Sequence, residues 1–353
     1  MTRRKLTFLA CAAAVVAAGL GATPSAADHS TVHRVQPGES IQKAVNAAEP
    51  GDTVLIAPGV YKEHVRVTVP DLTLRGSGAA RTVLVPDSKE KDACAKAGSG
   101  ICVLGTDDKP LKDVSVQSLA LRGYAKHGLW ATGTDRLKVR GVLAEKNGTW
   151  GIALERSVRS VVTHNAARDN GDAGLFVANT VDTEEGARDT DGTVLRHNRL
   201  SGNRIGVTVR RLRDLSVEHN EVTGNCAAVF VVGDERSPRA GDMSVSHNHV
   251  HENNKYCAAT ERLPFLQGSG IVLTGAEKTR VTYNRVENNQ GTSPLSGGIV
   301  LFKSLVGTPN ENNDIRDNLV TGNSPADLAN RDTASNNTFS RNTCTLSEPA
   351  GMC

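Results

Sequence analysis

The chain has 353 residues, with 41 basic and 38 acidic side chains, seven cysteines and 3% aromatic residues. Three of the basic residues, Arg3, Arg4 and Lys5, fall in the first 27, so the remainder carries 38 charges of each sign. That balance excludes a nucleic-acid binder working by bulk charge, and beyond residue 27 no apolar run approaches the ~20 residues needed to cross a bilayer.

The N-terminus reads as an export signal covering residues 1–27. Arg3, Arg4 and Lys5 precede an apolar, alanine-rich stretch from Leu6 to Leu20. Ser25, Ala26 and Ala27 then supply small residues for cleavage before Asp28. Thr2-Arg3-Arg4 is compatible with the twin-arginine route as well as the general one. The expected location is extracellular and the expected state a monomer. Loss of the signal removes Cys11 and leaves six cysteines in close pairs: Cys94 with Cys102, Cys226 with Cys257, and Cys344 with Cys353. An even number in an exported chain implies disulfides, for which 15 connectivities exist. Pairing of neighbours is preferred because each bond then staples one loop.

Residues 28–353 are expected to form one domain. Ser40 is placed to N-cap a short helix with Ile41, Ala44, Val45 and Ala48 on one face, stopped by Pro50-Gly51. That helix would plug the N-terminal mouth of the fold within a cap of about residues 32–60. Coils would run over about 61–343, and Cys344–Cys353 would hook the tail.

From about residue 113 a weak motif recurs: a short apolar strand, an asparagine, a second asparagine, then a glycine-led apolar strand. One copy runs from Val161 through Asn165 and Asn170 to Val177. Another runs from Val281 through Asn284 and Asn289 to Leu301. The first asparagine falls at 165, 198, 220, 248, 284 and 318, in steps of 33, 22, 28, 36 and 34. A winding of about 22 residues with insertions of varying length is the mark of a solenoid. The predicted fold is therefore all-β: a single-stranded right-handed parallel β-helix of about ten coils, stacked ~4.8 Å apart. The asparagines are expected to stack in file and to take left-handed backbone geometry at the bend. The glycine before each strand is expected to supply a positive φ.

The run from Ser40 through Pro50-Gly51-Asp52-Thr53-Val54 to Pro58-Gly59-Val60-Tyr61-Lys62-Glu63 resembles the opening of secreted bacterial right-handed β-helix proteins. These form the pectin-lyase-like group, with carbohydrate-binding and sugar-hydrolysis repeats. The resemblance implies a polysaccharide partner. It does not imply a reaction, because lyases, hydrolases, esterases, epimerases and non-enzymes share the fold. Gly59-Val60-Tyr61-Lys62-Glu63 resembles the first signature of pectin methylesterases, whose later signatures are missing. Asn179-Thr180-Val181-Asp182 and Lys126-His127-Gly128 are imperfect echoes of polygalacturonase motifs. The Asp-Pro-His-Asp of alginate epimerases is absent. Only Met243 and Met352 remain as methionines beyond the signal, too few to support soft copper ligation.

Strand alternation gives the candidate site. In the glycine-led strands one outward column reads Trp130, Ala153, Phe176, Thr208, Phe230, Val272, Val300. Its neighbour reads Thr132, Glu155, Ala178, Arg210, Val232, Thr274, Phe302. Trp130, Phe176, Phe230 and Phe302 would form a platform for sugar rings. The alternative is that insertion loops cover them as a second small core. Glu155, Arg210, Lys126 and His127 are the candidate catalytic residues. In a lyase, Lys126, His127 or Arg210 would abstract the proton α to a uronate carboxylate. Asp182, Glu184, Glu185, Asp189 and Asp191 are a candidate calcium set, all oxygen ligands, with a solvated acidic loop as the alternative. His164, His197, His219 and His247 each precede a first asparagine and are expected to stack structurally. His247, His249 and His251 alternate, with Asn248 interrupting the geometry at the bend.

Overall fold

The computed structural model describes residues 30–89, 92–332, 334 and 336–353. The proposed export signal lies outside them. Among the described residues no helix is long and apolar enough to cross a membrane.

Three parallel sheets wind along one axis. The first has twelve strands, from Val32–Val35 to Thr338–Ser340. The second has ten, from Gly59–Lys62 to Leu319–Thr321. The third has eleven, from Val65–Val67 to Ser347–Glu348. A representative winding is Val161–Thr163, Ala166–Arg168 and Ala173–Ala178, one strand in each sheet. Every strand pairs in parallel with its equivalents in the windings before and after. The alternation of apolar residues explains the stacking. Val162, Leu195, Val217, Val245, Val281 and Ile315 form one inward file. Leu175, Val207, Val229, Ile271 and Ile299 form another. All are buried in one continuous core.

Windings begin earlier and end later than the expected cap and hook. Val32–Val35 already pairs with Thr53–Ile56, and Ser347–Glu348 still pairs with Leu328–Arg331. The first sheet's two strands beyond the ten coils expected are Val32–Val35 and Thr53–Ile56, both within the expected cap. Pairing at both ends continues wherever the backbone can reach a neighbour. The helix Ile41–Ala47 has Ser40 as its N-cap and buries Ile41 and Val45. Buried Glu63 accepts hydrogen bonds from the Ser40 hydroxyl and from the amides of Ile41 and Gln42, satisfying the helix N-terminus. All three disulfides join neighbouring cysteines: Cys94–Cys102, Cys226–Cys257 and Cys344–Cys353.

The asparagines stack as two files. In the first, the Asn198 side-chain carbonyl accepts both the backbone N–H and the amide N–H of Asn165, each at 3.0 Å. The same pattern continues through Asn220, Asn248, Asn284, Asn318 and Asn342. A second file runs from Asn147 through Asn170, Asn203, Asn225, Asn253 and Asn289 to Asn323, and ends on Asp327.

Two local expectations are corrected. The left-handed residue at the bend is the one before each first asparagine. His164, His197, His219, His247 and Tyr283 have φ between 53° and 57°, while the asparagines point inward. The glycines leading the third-sheet strands are needed for close approach, not for positive φ. A Cβ on Gly174 would sit 2.8 Å from the Gly206 carbonyl oxygen, and one on Gly270 2.2 Å from that of Gly298.

Replacing Asn220 by Ala strips Asn198 of its acceptor and leaves buried amide groups unpaired, each costing about 1–3 kcal/mol. The urea midpoint should fall by the equivalent of about 3 kcal/mol or more, while Asn46→Ala on the exposed helix face should stay within about 0.5 kcal/mol.

Candidate functional site

The outward face of the third sheet carries three files of side chains. Trp130, Ala153, Phe176, Thr208, Phe230, Val272 and Val300 stand in register in the central file. Thr132, Glu155, Ala178, Arg210, Val232, Thr274 and Phe302 stand in the trailing file. Both agree with the alternation read from sequence. A leading file, three residues before the central one, holds His127 and Trp150.

The four candidate catalytic residues divide into two pairs. Lys126 and His127 lie at the leading edge, with Lys126 exposed on the turn. Glu155 and Arg210 lie at the trailing edge. The edges are five residues apart, about 16 Å at ~3.3 Å per residue, so the pairs do not meet at one bond. Glu155 and Arg210 are two windings apart, about 10 Å between backbones, with only Ala178 between them in the file.

Glu155 is clamped. The Trp130 indole donates to its carboxylate at 2.6 Å, and the Val181 amide donates from the loop that follows the next winding. Burial pushes its pKa above the ordinary glutamate value. Nearby Asp182 adds to that, and the indole bond and Arg156 oppose it. Arg210 is half-buried and makes no side-chain hydrogen bond or ion pair among the described residues. Burial, Arg211 and Arg262 press its pKa down, against Asp234 and Glu184. Beside it Thr208 has a buried hydroxyl without a partner. Unpaired buried charge is costly, so this arrangement marks a place where an anionic or hydroxyl-bearing ligand would be stabilised.

At the leading edge His127 stacks on Trp150 at 4.4 Å, and Trp150 on Phe176 at 3.9 Å. Burial, with Lys126 beside it, lowers the His127 pKa to about 4, so the ring is neutral near pH 7, and its Nδ1 is buried without a partner. The Trp150 indole donates to Asp172 at 3.0 Å, and Arg204 lies 4.0 Å from the same carboxylate. Burial pushes the Asp172 pKa up. Trp150, Asp172 and Arg204 were missed in the sequence. Strand alternation could not find them, because Trp150 precedes the strand Ile152–Glu155 and lies out of phase with it.

The aromatic platform is mostly covered. Phe176 is 6% and Phe230 3% exposed, while Trp130 and Phe302 are half-buried. Phe176 packs with Trp150, Ala153, Ala173 and Val181. Phe230 packs under Leu263, Leu266 and Leu295, in a loop region pinned by Cys226–Cys257. These loops bury the rings because adjacent apolar side chains left in water would be unfavourable. A strip with partial exposure remains at Trp130, Glu155 and Arg210, with Ala178 buried between the last two.

The five carboxylates of the acidic segment do not converge. Asp182, Glu184 and Glu185 lie in the loop, whereas Asp189 and Asp191 lie on the first-sheet strand Arg188–Arg196. Asp191 pairs with Arg159 at 2.7 Å, and Asp189 accepts the Asp191 amide. Among the described residues no group of three histidines, cysteines or carboxylates is arranged to hold a metal. His247, His249 and His251 are split as well: His247 stacks on His219 at the bend, while His249 and His251 stack on each other at 4.3 Å.

A family model for the right handed beta helix region matches residues 91–240. No curated protein matches the sequence. Among solved structures the chain is similar to the A-module of the mannuronan C-5 epimerase AlgE4 of Azotobacter vinelandii. Identity is 16% over 87% of this chain and 90% of that one, with a TM-score of 0.55. DFA-IIIase from Arthrobacter chlorophenolicus A6 is 13% identical over 88% and 84%, with a TM-score of 0.61. The PL6 family alginate lyase AlyGC is 13% identical over 88% of this chain and 51% of that one, with a TM-score of 0.51. At these identities the likeness is one of fold, and the protein is a right-handed parallel β-helix.

The chain's two tryptophans each donate to a carboxylate whose pKa is raised, Glu155 and Asp172. Tryptophan fluorescence should therefore show acid transitions centred above the ordinary carboxylate range. Glu155→Gln should remove one and Asp172→Asn the other. Because both folded-state pKa values are raised, the folded state binds these protons more tightly than the unfolded chain. Stability from these groups is gained as pH falls through the raised values and is absent near neutrality, so neither amide variant should unfold more readily at pH 7.

Proposed function

We propose that the protein binds and processes an acidic polysaccharide on the partly exposed strip of the third sheet. The observation that carries this reading is the pairing, in one outward file, of a clamped carboxylic acid with a raised pKa and an unpaired, half-buried guanidinium. Arg210 would take the uronate carboxylate, where bidentate hydrogen bonding and charge neutralisation act together. It would also stabilise negative charge developing on that carboxylate during proton loss at the adjacent carbon. Glu155 would exchange the proton, since a carboxyl raised toward neutrality is suited to both giving and taking one. Trp130, which holds Glu155, offers apolar surface to a sugar ring. The similar solved structures include an epimerase of mannuronan and a lyase of alginate, which supports a polysaccharide ligand.

The covered Phe176 and Phe230 favour a second reading, a glycan-binding surface without turnover, because they leave a short strip rather than a long cleft. Incubation with polygalacturonate, alginate and neutral glucans separates the two. Ultraviolet-absorbing unsaturated ends would establish elimination, and new reducing ends without absorbance would establish hydrolysis. Glu155→Gln should lower turnover by about 10²–10⁴-fold with binding retained. Arg210→Ala should weaken binding of uronate polymers and leave neutral glucans unaffected. Binding without products on any polymer supports the second reading, and absence of both binding and products rejects both.

A further inference from the structure

A second feature lies at the corner between the first and second sheets, away from the strip. His164, His197, His219, His247 and Tyr283 stack as one file along the rod, with ring centroids 5.0, 5.2, 4.8 and 5.2 Å apart. All five are exposed. Left-handed geometry alone does not account for the run. Histidine tolerates positive φ, but the same corner takes Ser118, Gly141, Asp317 and Arg341 in other windings, with φ between 52° and 63°. The backbone therefore accepts several residue types here, and four successive imidazoles are not required by it.

Three of the four contacts are stacked, with interplanar angles of 21–27°, and His164–His197 is tilted at 39°, so the rings turn mainly their edges outward. Ring edges carry the nitrogen donors and acceptors. They suit hydrogen bonding to polar groups and not stacking on a sugar face. Beside the first three rings is a groove of about 530 Å³, lined among others by His164, His197, His219, Arg199 and Leu143 and bounded by Ala79.

The surrounding charges are mixed but biased. On the first-sheet side Arg140, Thr163, Arg196 and Glu218 stand in register on successive windings, with Arg316 further along. On the second-sheet side Arg199 pairs with Glu221 at 3.2 Å, and Arg285 and His249 share Glu287. Beyond Tyr283, Asp317 pairs with Arg341 and Arg316. Arg140, Arg196 and Arg199 thus make the His164–His197 end cationic even when the rings are neutral.

We propose that this corner is a second, pH-gated binding strip for an acidic polysaccharide, laid along the rod. The inter-winding repeat of ~4.8 Å is close to the length of one pyranose ring in an extended chain, so the carboxylates that the chain turns toward the rod fall in step with the windings, every second or third residue meeting the file. A nucleic-acid duplex matches less well, because its strands rise about 3.4 Å per phosphate and wind away from a straight file. Gating follows from the stacking. Imidazolium ions about 5 Å apart repel one another, and a carboxylate seated between two rings offsets that repulsion. His164 is already held below the ordinary histidine value, by partial desolvation and by Arg140, His197 and Arg196. The same carboxylates raise the ring pKa values. Binding therefore takes up protons and strengthens as pH falls. The strip shares a ligand class with the third-sheet proposal but none of its residues, so either can fail alone.

The test is calorimetric titration of the full chain with soluble polygalacturonate at about pH 5 and about pH 7.5, at one low ionic strength, with dextran and single-stranded DNA as comparators. Affinity for polygalacturonate should be at least about tenfold higher at the lower pH, with proton uptake visible as a dependence of the heat on buffer ionisation. The variant with His164, His197, His219 and His247 all changed to Asn keeps a residue that tolerates positive φ, and should lose the pH dependence. His197→Asn alone should reduce it by a few-fold, which keeps the test valid should the fourfold variant not fold. Arg210→Ala should retain it. Equal affinity at both pH values, an unchanged pH dependence in His197→Asn, or equal pH-gated binding of DNA would each overturn the proposal.

Discussion

From Asn147 onward, successive windings are fastened at two bends, each by a buried amide that accepts two hydrogen bonds and donates two. The Asn198 carbonyl receives both N–H groups of Asn165, and its own amide donates onward to Asn220 and back to the Val162 carbonyl. Nothing polar is left unmatched at a bend that would otherwise bury loose backbone groups. This fixes axial register, and register decides which side chains become vertical neighbours. Glu155 and Arg210 are 55 residues apart in sequence, yet they share a file because two asparagine steps separate their windings. Insertions can then differ in length without disturbing the stack, since each begins and ends at a position the amides hold.

Much of the fold was legible because it is periodic. The asparagine steps, the apolar alternation, the Ser40 cap and the pairing of neighbouring cysteines are all local or repeating signals, and each appears in the structure. The readings that needed correction depend on three-dimensional proximity. Sequence places a glycine at each third-sheet strand but does not reveal that the carbonyl of the next winding lies against it. It also cannot tell which of His164 and Asn165 turns left-handed, because both residue types tolerate that geometry. Both outward files were read correctly, since alternation is strict. Coverage was not legible: whether Phe230 meets solvent depends on how the segment carrying Leu263 and Leu266 folds back, and no periodicity governs a single insertion.

The two histidine environments show how one residue type acquires different chemistry from its place on the rod. His127, enclosed between Trp130 and Trp150 with a lysine next to it, is kept neutral. The four corner imidazoles keep their edges in water and influence one another mainly through the file. The same stacking distance governs both, but only at the corner can a proton and its counter-ion arrive together.

The second asparagine file ends on a carboxylate. Asp327 accepts from Asn323 and from the amides of Thr345 and Leu346, and unlike asparagine it has no amide N–H to pass to a further step. The tail held by Cys344–Cys353 covers the same end, while the helix Ile41–Ala47 covers the other. A stack of parallel strands is by nature a template for indefinite growth. Here the second file is closed at its last rung, so it offers no amide donor to a further strand.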